Sequence, residues 1–216
     1  MIQLSTVFPV MSIDTLGRAD LQIDPPTADR LFRTARSAQV FTDEEVDVAQ
    51  IEAVYELIKW GPTAMNILPL RLLVLRRGEP RERLVPLMSE GNRDRVAAAP
   101  LTLVLGYDPN FHQHMGTLFP HAPHVQDQLS QAPEVRDPMA RTNALIQAGY
   151  LIVGLRAAGL ATGPMNGMDF AAVDAEFFAE CGWRSLLVVN VGHAEGAGTE
   201  LPRLPRLEFA DAATVL

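Results

Sequence analysis

The sequence predicts a mixed α and β fold, and three observations carry that prediction. Apolar runs of strand length stand at 71–76, 101–107 and 185–191. Segments with helical spacing of apolar residues stand between them, notably 47–58 and 138–159. Proline and glycine punctuate the boundaries, as in Gly61-Pro62.

The elements follow in chain order. Residues 1–24 read as an extension, and 25–216 as one folded domain. Pro25, Pro26 and Thr27 introduce a helix running through Leu31 and Phe32 to about Arg36, because proline is tolerated in a first helical turn. Asp47 caps a second helix whose Ile51, Val54, Tyr55 and Ile58 share a face. Arg71 to Arg76 is a strand, Glu79 to Met88 a helix, and Leu101 to Tyr107 a strand entered from Pro100. Prolines at 109, 120, 123, 133 and 138 break any pattern from Asp108 to Asp137, which reads as an irregular or short-helical excursion of the kind that covers sites. Pro138 to Gly159 predicts a central, mostly buried helix with Leu145, Ala148, Ile152 and Leu155 on one face. Ser185 to Val191 is almost wholly apolar and belongs in the middle of a sheet.

Composition narrows the function. A chain of 216 residues, 48% hydrophobic and 20% charged, builds a soluble core. A formal net charge of −8 offers no basic field to nucleic acid or an acidic membrane, so any bound phosphate must meet local arginines. The first fourteen residues lack the pattern of a signal peptide, and 144–160 falls short of a membrane span. Cys181 is the only cysteine, which excludes an intrachain disulfide and suits a reducing compartment such as the cytoplasm. It reads as a small buried apolar residue.

The chain has no GxGxxG, GxxxxGK[ST], HExxH or GxSxG motif. Four punctuations stand where helices meet loops: Arg36-Ser37-Ala38-Gln39, Gly61-Pro62-Thr63-Ala64-Met65-Asn66, Thr162-Gly163-Pro164-Met165-Asn166-Gly167 and Arg203-Leu204-Pro205-Arg206. Guanidinium groups beside a hydroxyl suit a phosphate monoester, although spacing alone describes solvated surface arginines equally well. His112, His114, His121 and His124 crowd the excursion without the carboxylate or cysteine pattern of a metal site. They equally describe a wet, partly aromatic lid, one of whose histidines donates a proton or orients substrate.

Taken in series, these segments resemble the nitroreductase family over nearly the whole chain. Lys59-Trp60-Gly61-Pro62-Thr63, Ser89-Glu90-Gly91-Asn92, Leu118-Phe119-Pro120-His121 and Arg203-Leu204-Pro205-Arg206-Leu207 are similar to its malonic semialdehyde reductase branch in particular. The resemblance implies an α+β nitroreductase-like fold, with a central, mostly antiparallel sheet flanked by helices in an intertwined homodimer. It also implies two flavin mononucleotide (FMN) sites built from both chains. Arg36 and Ser37 match the pair that holds the FMN phosphate, and Arg206 with Arg203 the residues that close that site. Gln39 falls beside the flavin's pyrimidine ring, Asn66 in the Pro62-Thr63 loop faces its polar edge, and Pro164, Met165, Asn166 and Gly167 pass near its N5. Ala35 stands where many relatives carry arginine and Met65 where they carry a small residue, departures that bear on phosphate affinity and on the width of the site.

The implied reaction is ping-pong, with hydride passing from NADH or NADPH through flavin N5 to a small electrophile, so no side-chain acid or base is required. Malonic semialdehyde, reduced to 3-hydroxypropanoate, is the acceptor of that branch; nitroaromatics, quinones and enones are the alternatives. A flavin-handling protein without rapid turnover and a cofactor-free interaction domain stay open as other classes.

Overall fold

Apolar β-branched and leucine-rich runs pair into one sheet in the computed structural model, which describes residues 22–199 and 201–216. The proposed N-terminal extension therefore lies outside the described residues apart from its last three. The strands are β1 (Leu70–Arg76), β2 (Leu101–Tyr107), β3 (Ala161–Met165) and β4 (Arg184–Gly192), in the order β1-β2-β4-β3 and antiparallel throughout. The central placement of the 185–191 run holds.

Nine helices accompany the sheet among the described residues: α1 (Pro25–Ala28), α2 (Val48–Ile58), α3 (Glu79–Leu84), α4 (Glu90–Ala98), α5 (Met115–Leu118), α6 (His124–Ser130), α7 (Pro133–Ala157), α8 (Phe170–Val173) and α9 (Phe209–Ala212). The predicted first helix ends early. After α1 it widens into a π-type turn over Asp29–Arg33, leaving Arg36 in extended chain. Helix α2 starts as read: Asp47 accepts from the Ala49 amide while Gln50 reaches back to the Asp47 amide. The excursion 108–132 folds into short helical pieces.

Side-chain alternation splits the core between the two faces of the sheet. Leu70, Leu101, Leu103, Leu105, Val189 and Val191 pack with α2 and α7; Leu75, Val104 and Val188 pack with Leu84, Val96 and Phe178 opposite. The long helix is placed differently from its apolar count. Its buried stripe is Ala140, Ala144, Ala148, Leu151 and Leu155, with Asn143, Gln147 and Gly154, while Leu145 (41% exposed), Ile146 (45%) and Tyr150 (40%) face outward. Small residues let α7 lie close to the sheet and to α2; a Cβ on Gly154 would stand 2.5 Å from Ile58 Cγ2. Leu145, Ile146 and Tyr150 are turned away, while Leu151 and Leu155 stay buried. Cys181 is exposed rather than buried, in a turn closed by Gly182 at φ +70°. No described helix is long and apolar enough to cross a membrane.

Candidate functional site

The 34–41 segment is held in extended form along β3. The Ala38 amide donates to Thr162 O (2.8 Å), Ser37 pairs with Thr162, and the Gln39 amide donates to Gly198 O (2.7 Å). Gly163 makes this possible, because a Cβ there would lie 2.5 Å from Ala38 O. The C-terminal segment then closes from the other side. Arg36 donates to Leu201 O, and Arg203 to Arg33 O and Ala35 O (3.0 Å to the latter).

Between these segments lies a cleft of about 870 Å³, lined by Arg36, Ser37, Gln39, Arg203 and Arg206 together with Phe32, Arg33 and Arg156. The four basic and hydroxyl residues predicted for phosphate binding, and Gln39, therefore share one wall system. Arg33 is paired with Asp29 at 2.8 Å; among the described residues Arg36, Arg156, Arg203 and Arg206 have no carboxylate partner. Several unpaired guanidinium groups with a hydroxyl fit a phosphate dianion, as their fixed paired donors match its oxygens. Ala35 lines the cleft as well, among Arg36, Arg156, Arg203 and Arg206.

Arg156 is the residue that sequence reasoning passed over. It sits near the C-terminal end of α7, half-buried, and burial holds its pKa below the usual arginine range. One signal was available, since a charge inside the apolar 144–160 stretch requires a polar destination.

The other predicted residues do not line this cleft. Pro62, Thr63 and Asn66 stand on a separate loop whose Met65, Asn66 and Leu68 have φ of 50°, 56° and 40°. Such conformations cost roughly 1–2 kcal/mol each outside glycine, so the surroundings must hold them. Asn143 Oδ1 accepts the Ala64 amide (2.8 Å), Gln147 Oε1 accepts the Leu70 amide (3.0 Å), and Asn66 Nδ2 donates to Leu118 O (2.9 Å). Gly61 lies under the Tyr150 ring, which leaves no room for a Cβ. Met65 packs partly against the core, so its bulk is not all turned toward open space.

Pro164 and Met165 belong to β3, which sequence reading took for a loop, and Asn166 follows it exposed. The space beside Gly163 is filled by Ala38 and that beside Gly167 by Ser89 and Asn92, whose amide donates to Gly167 O (3.1 Å). The small side chains there serve approach by the chain itself.

His112 is buried, its Nδ1 without a partner among the described residues and its Nε2 3.5 Å from Arg136 Nη1. Burial first and Arg136 second hold its pKa below the ordinary value, with Asp108 opposing. His114, His121 and His124 are exposed. Among the described residues no three His, Cys, Asp or Glu side chains stand together as a metal requires.

The chain is thus an α+β sheet protein with a cleft whose Arg36, Arg156, Arg203 and Arg206 have no carboxylate partner among the described residues. The nitroreductase family model matches residues 32–193, most of the chain. A protein of Leptothrix cholodnii named "Putative NADH dehydrogenase/NAD(P)H nitroreductase" is 47% identical over 194 residues, covering 90% of this chain and 98% of its own. One of the same type in Streptomyces coelicolor is 47% identical over 196 residues, covering 91% and 99%. Among solved structures, a nitroreductase family protein of Streptococcus pneumoniae superposes with a TM-score of 0.71 at 21% identity, covering 86% of this chain and 98% of that one. A complex with FMN from Exiguobacterium sibiricum reaches 0.70 at 18% identity, covering 87% and 96%. The chain belongs to the nitroreductase family, whose members are flavoprotein oxidoreductases using FMN with NAD(P)H.

Proposed function

We propose that the chain binds FMN with its phosphate in the arginine cleft and works as a homodimer that moves reducing equivalents from NADH or NADPH to a small electrophile. The observation that carries this reading is the convergence of Arg36, Ser37, Arg203 and Arg206, with no carboxylate partner among the described residues, on one cleft with Gln39. When bound, FMN accepts hydride from the nicotinamide at N5 and passes it on. The chain's own part is to anchor and orient.

Arg36, Arg203 and Arg206 hold the phosphate, Ser37 adds a hydroxyl donor, and Gln39 serves the ring edge. Pro62, Thr63 and Asn66 stand off this cleft on their own loop, which fits a site completed by the second chain of a dimer. The outward apolar face of α7, with Trp60 (81% exposed) beside the Gly61 on which Tyr150 packs, supports such a partner. Pro164 and Met165 of β3, with Asn166 and Gly167, lie off the arginine cleft, and in this reading their backbone passes near the flavin's N5. For the acceptor, the four branch-like segments support a short aldehyde acid, malonic semialdehyde reduced to 3-hydroxypropanoate; the relatives' names support nitroaromatics.

Purified protein is expected to be yellow, to bleach anaerobically with NADH or NADPH, and to have a dimer's mass by light scattering. Arg206→Glu should strip the flavin, since an added carboxylate repels the dianion. Colourless protein, or Arg206→Glu protein with undiminished FMN affinity, overturns the assignment. A panel of aldehydes, nitroaromatics, quinones and enones ranks the acceptors.

A further inference from the structure

We infer that Arg156 is a further phosphate-binding arginine of the FMN cleft, presented from helix α7 rather than from either flanking segment. The inference rests on the proposed placement of the FMN phosphate in that cleft. Arg156 lines the large cleft and also an adjoining recess of about 300 Å³ that shares Ala35 and Arg36 with it. Its guanidinium is half-buried and, among the described residues, makes two hydrogen bonds, Nη1 to Leu31 O at 3.5 Å and Nη2 to Arg36 O at 3.4 Å. Both are at the outer limit of a hydrogen bond. Five donors are available on the group, so most of its capacity is unspent. Among the described residues no carboxylate pairs with it, and a half-buried cation without a counter-charge is costly.

A phosphate dianion supplies what the site lacks. Arg36 reaches Leu201 O and Arg203 reaches the carbonyls of Arg33 and Ala35, so the flanking arginines must exchange backbone acceptors for a ligand. Arg156 needs little exchange. Its Cα is fixed in a 25-residue helix, which orders the side chain's base before the ligand arrives. The same guanidinium touches the Arg36 carbonyl, so ligand capture at one arginine favours the other.

The test compares FMN with riboflavin, which lacks the phosphate, by fluorescence titration of flavin-freed protein. Arg156→Met keeps the length and apolar packing of the stem while removing the charge. It should weaken FMN roughly 10- to 100-fold, the range for lost charge-assisted hydrogen bonds, leave riboflavin affinity unchanged and flatten the salt dependence of FMN binding. Arg156→Lys, the milder variant should Arg156→Met fail to fold, is expected to fall between wild type and Arg156→Met for FMN and again to leave riboflavin unchanged. Equal losses for both flavins, or no loss of FMN, overturn the inference. If Arg206→Glu loses FMN selectively while the Arg156 variants do not, only this inference fails; if wild type binds FMN no better than riboflavin, the phosphate placement itself fails.

Discussion

Gly163→Ala isolates the contact on which the anion cleft is built. The added Cβ would stand 2.5 Å from Ala38 O, whereas relaxed carbon-oxygen contacts begin near about 3.3 Å, so the two strands must part by roughly 0.8 Å. Ala38 cannot simply withdraw. Its amide is bonded to Thr162 O at 2.8 Å, and the next amide, of Gln39, to Gly198 O at 2.7 Å, so separation lengthens both bonds. Overpacking of this kind costs about 1–3 kcal/mol, which in a chain of this size lowers Tm by about 2–4 °C per kcal/mol. The same shift moves Arg36 and Ser37, and a misplacement near 1 Å in charge-assisted contacts should weaken FMN by roughly 10- to 100-fold. Calorimetry and flavin titration measure the two effects. Gly91→Ala is the control, as nothing lies within 4 Å of its added methyl in α4, and it should be neutral or stabilising by about 0.5–1 kcal/mol. Wild-type Tm and wild-type FMN affinity in Gly163→Ala protein would refute the reasoning.

Asn143→Leu leaves the Ala64 amide without its acceptor and frees the loop whose Met65, Asn66 and Leu68 are left-handed; a loss of about 1–3 kcal/mol and faster hydrogen exchange over 63–68 are expected, and unchanged exchange counts against the clamp. Arg81 of α3 is buried, its guanidinium bonded to the carbonyls of Val96 and Ala99 at the end of α4 and of Leu75 in β1, with burial lowering its pKa to about 10. Arg81→Met should lower the urea midpoint by more than about 2 kcal/mol equivalent at constant m, with Arg81→Lys a poor rescue because a point charge does not span several carbonyls. For His112 the folded pKa is lowered, so between it and the ordinary histidine value of about 6.5 the unfolded chain binds more protons; stability is full above about 6.5 and falls as pH drops through the folded pKa. Tm measured from pH 8 to 4.5 should show that fall in wild type and a flatter course in His112→Phe, and parallel curves exclude the assignment.

What the chain spells out locally, it folds as spelled. Leu101 to Tyr107 is wholly apolar apart from Thr102 and the tyrosine hydroxyl, and its bounds coincide with β2. Asp47 and Gln50 make the start of α2 legible because both partners of the cap lie within one turn. Helix α4 escaped notice since only Val96 of its residues is buried, leaving no apolar period to read. β3 escaped because Gly-Pro reads as a turn; it is an edge strand, where a missing amide hydrogen is tolerated and where Gly163 admits Ala38. The face of α7 was misjudged for a related reason. Of the expected face, Ala148 and Leu155 are buried but Leu145 is not, because the helix lies on the sheet through its alanines, Leu151 and Leu155 and turns Leu145, Ile146 and Tyr150 outward.

The site divides along the same line. Residue chemistry near the chain ends gave the arginines and Ser37, yet only the packing of 34–41 on β3 and the return of 201–206 bring them within one cleft. Net charge of −8 and local clustering act together in the proposed site: the protein as a whole repels polyanions, while a small dianion would be drawn to four guanidinium groups that have no carboxylate partner among the described residues. Asn66 is different in kind. Its amide is braced by Leu118 O and its loop by α7, both within the chain, so its geometry is set before any flavin binds, but it lies off the arginine cleft. Spacing along one sequence cannot encode the distance between a residue and the second copy of the chain. In the proposed dimer the second chain would complete a site split in this way, and the outward leucine, isoleucine and tyrosine of α7 are the apolar surface such assembly would cover.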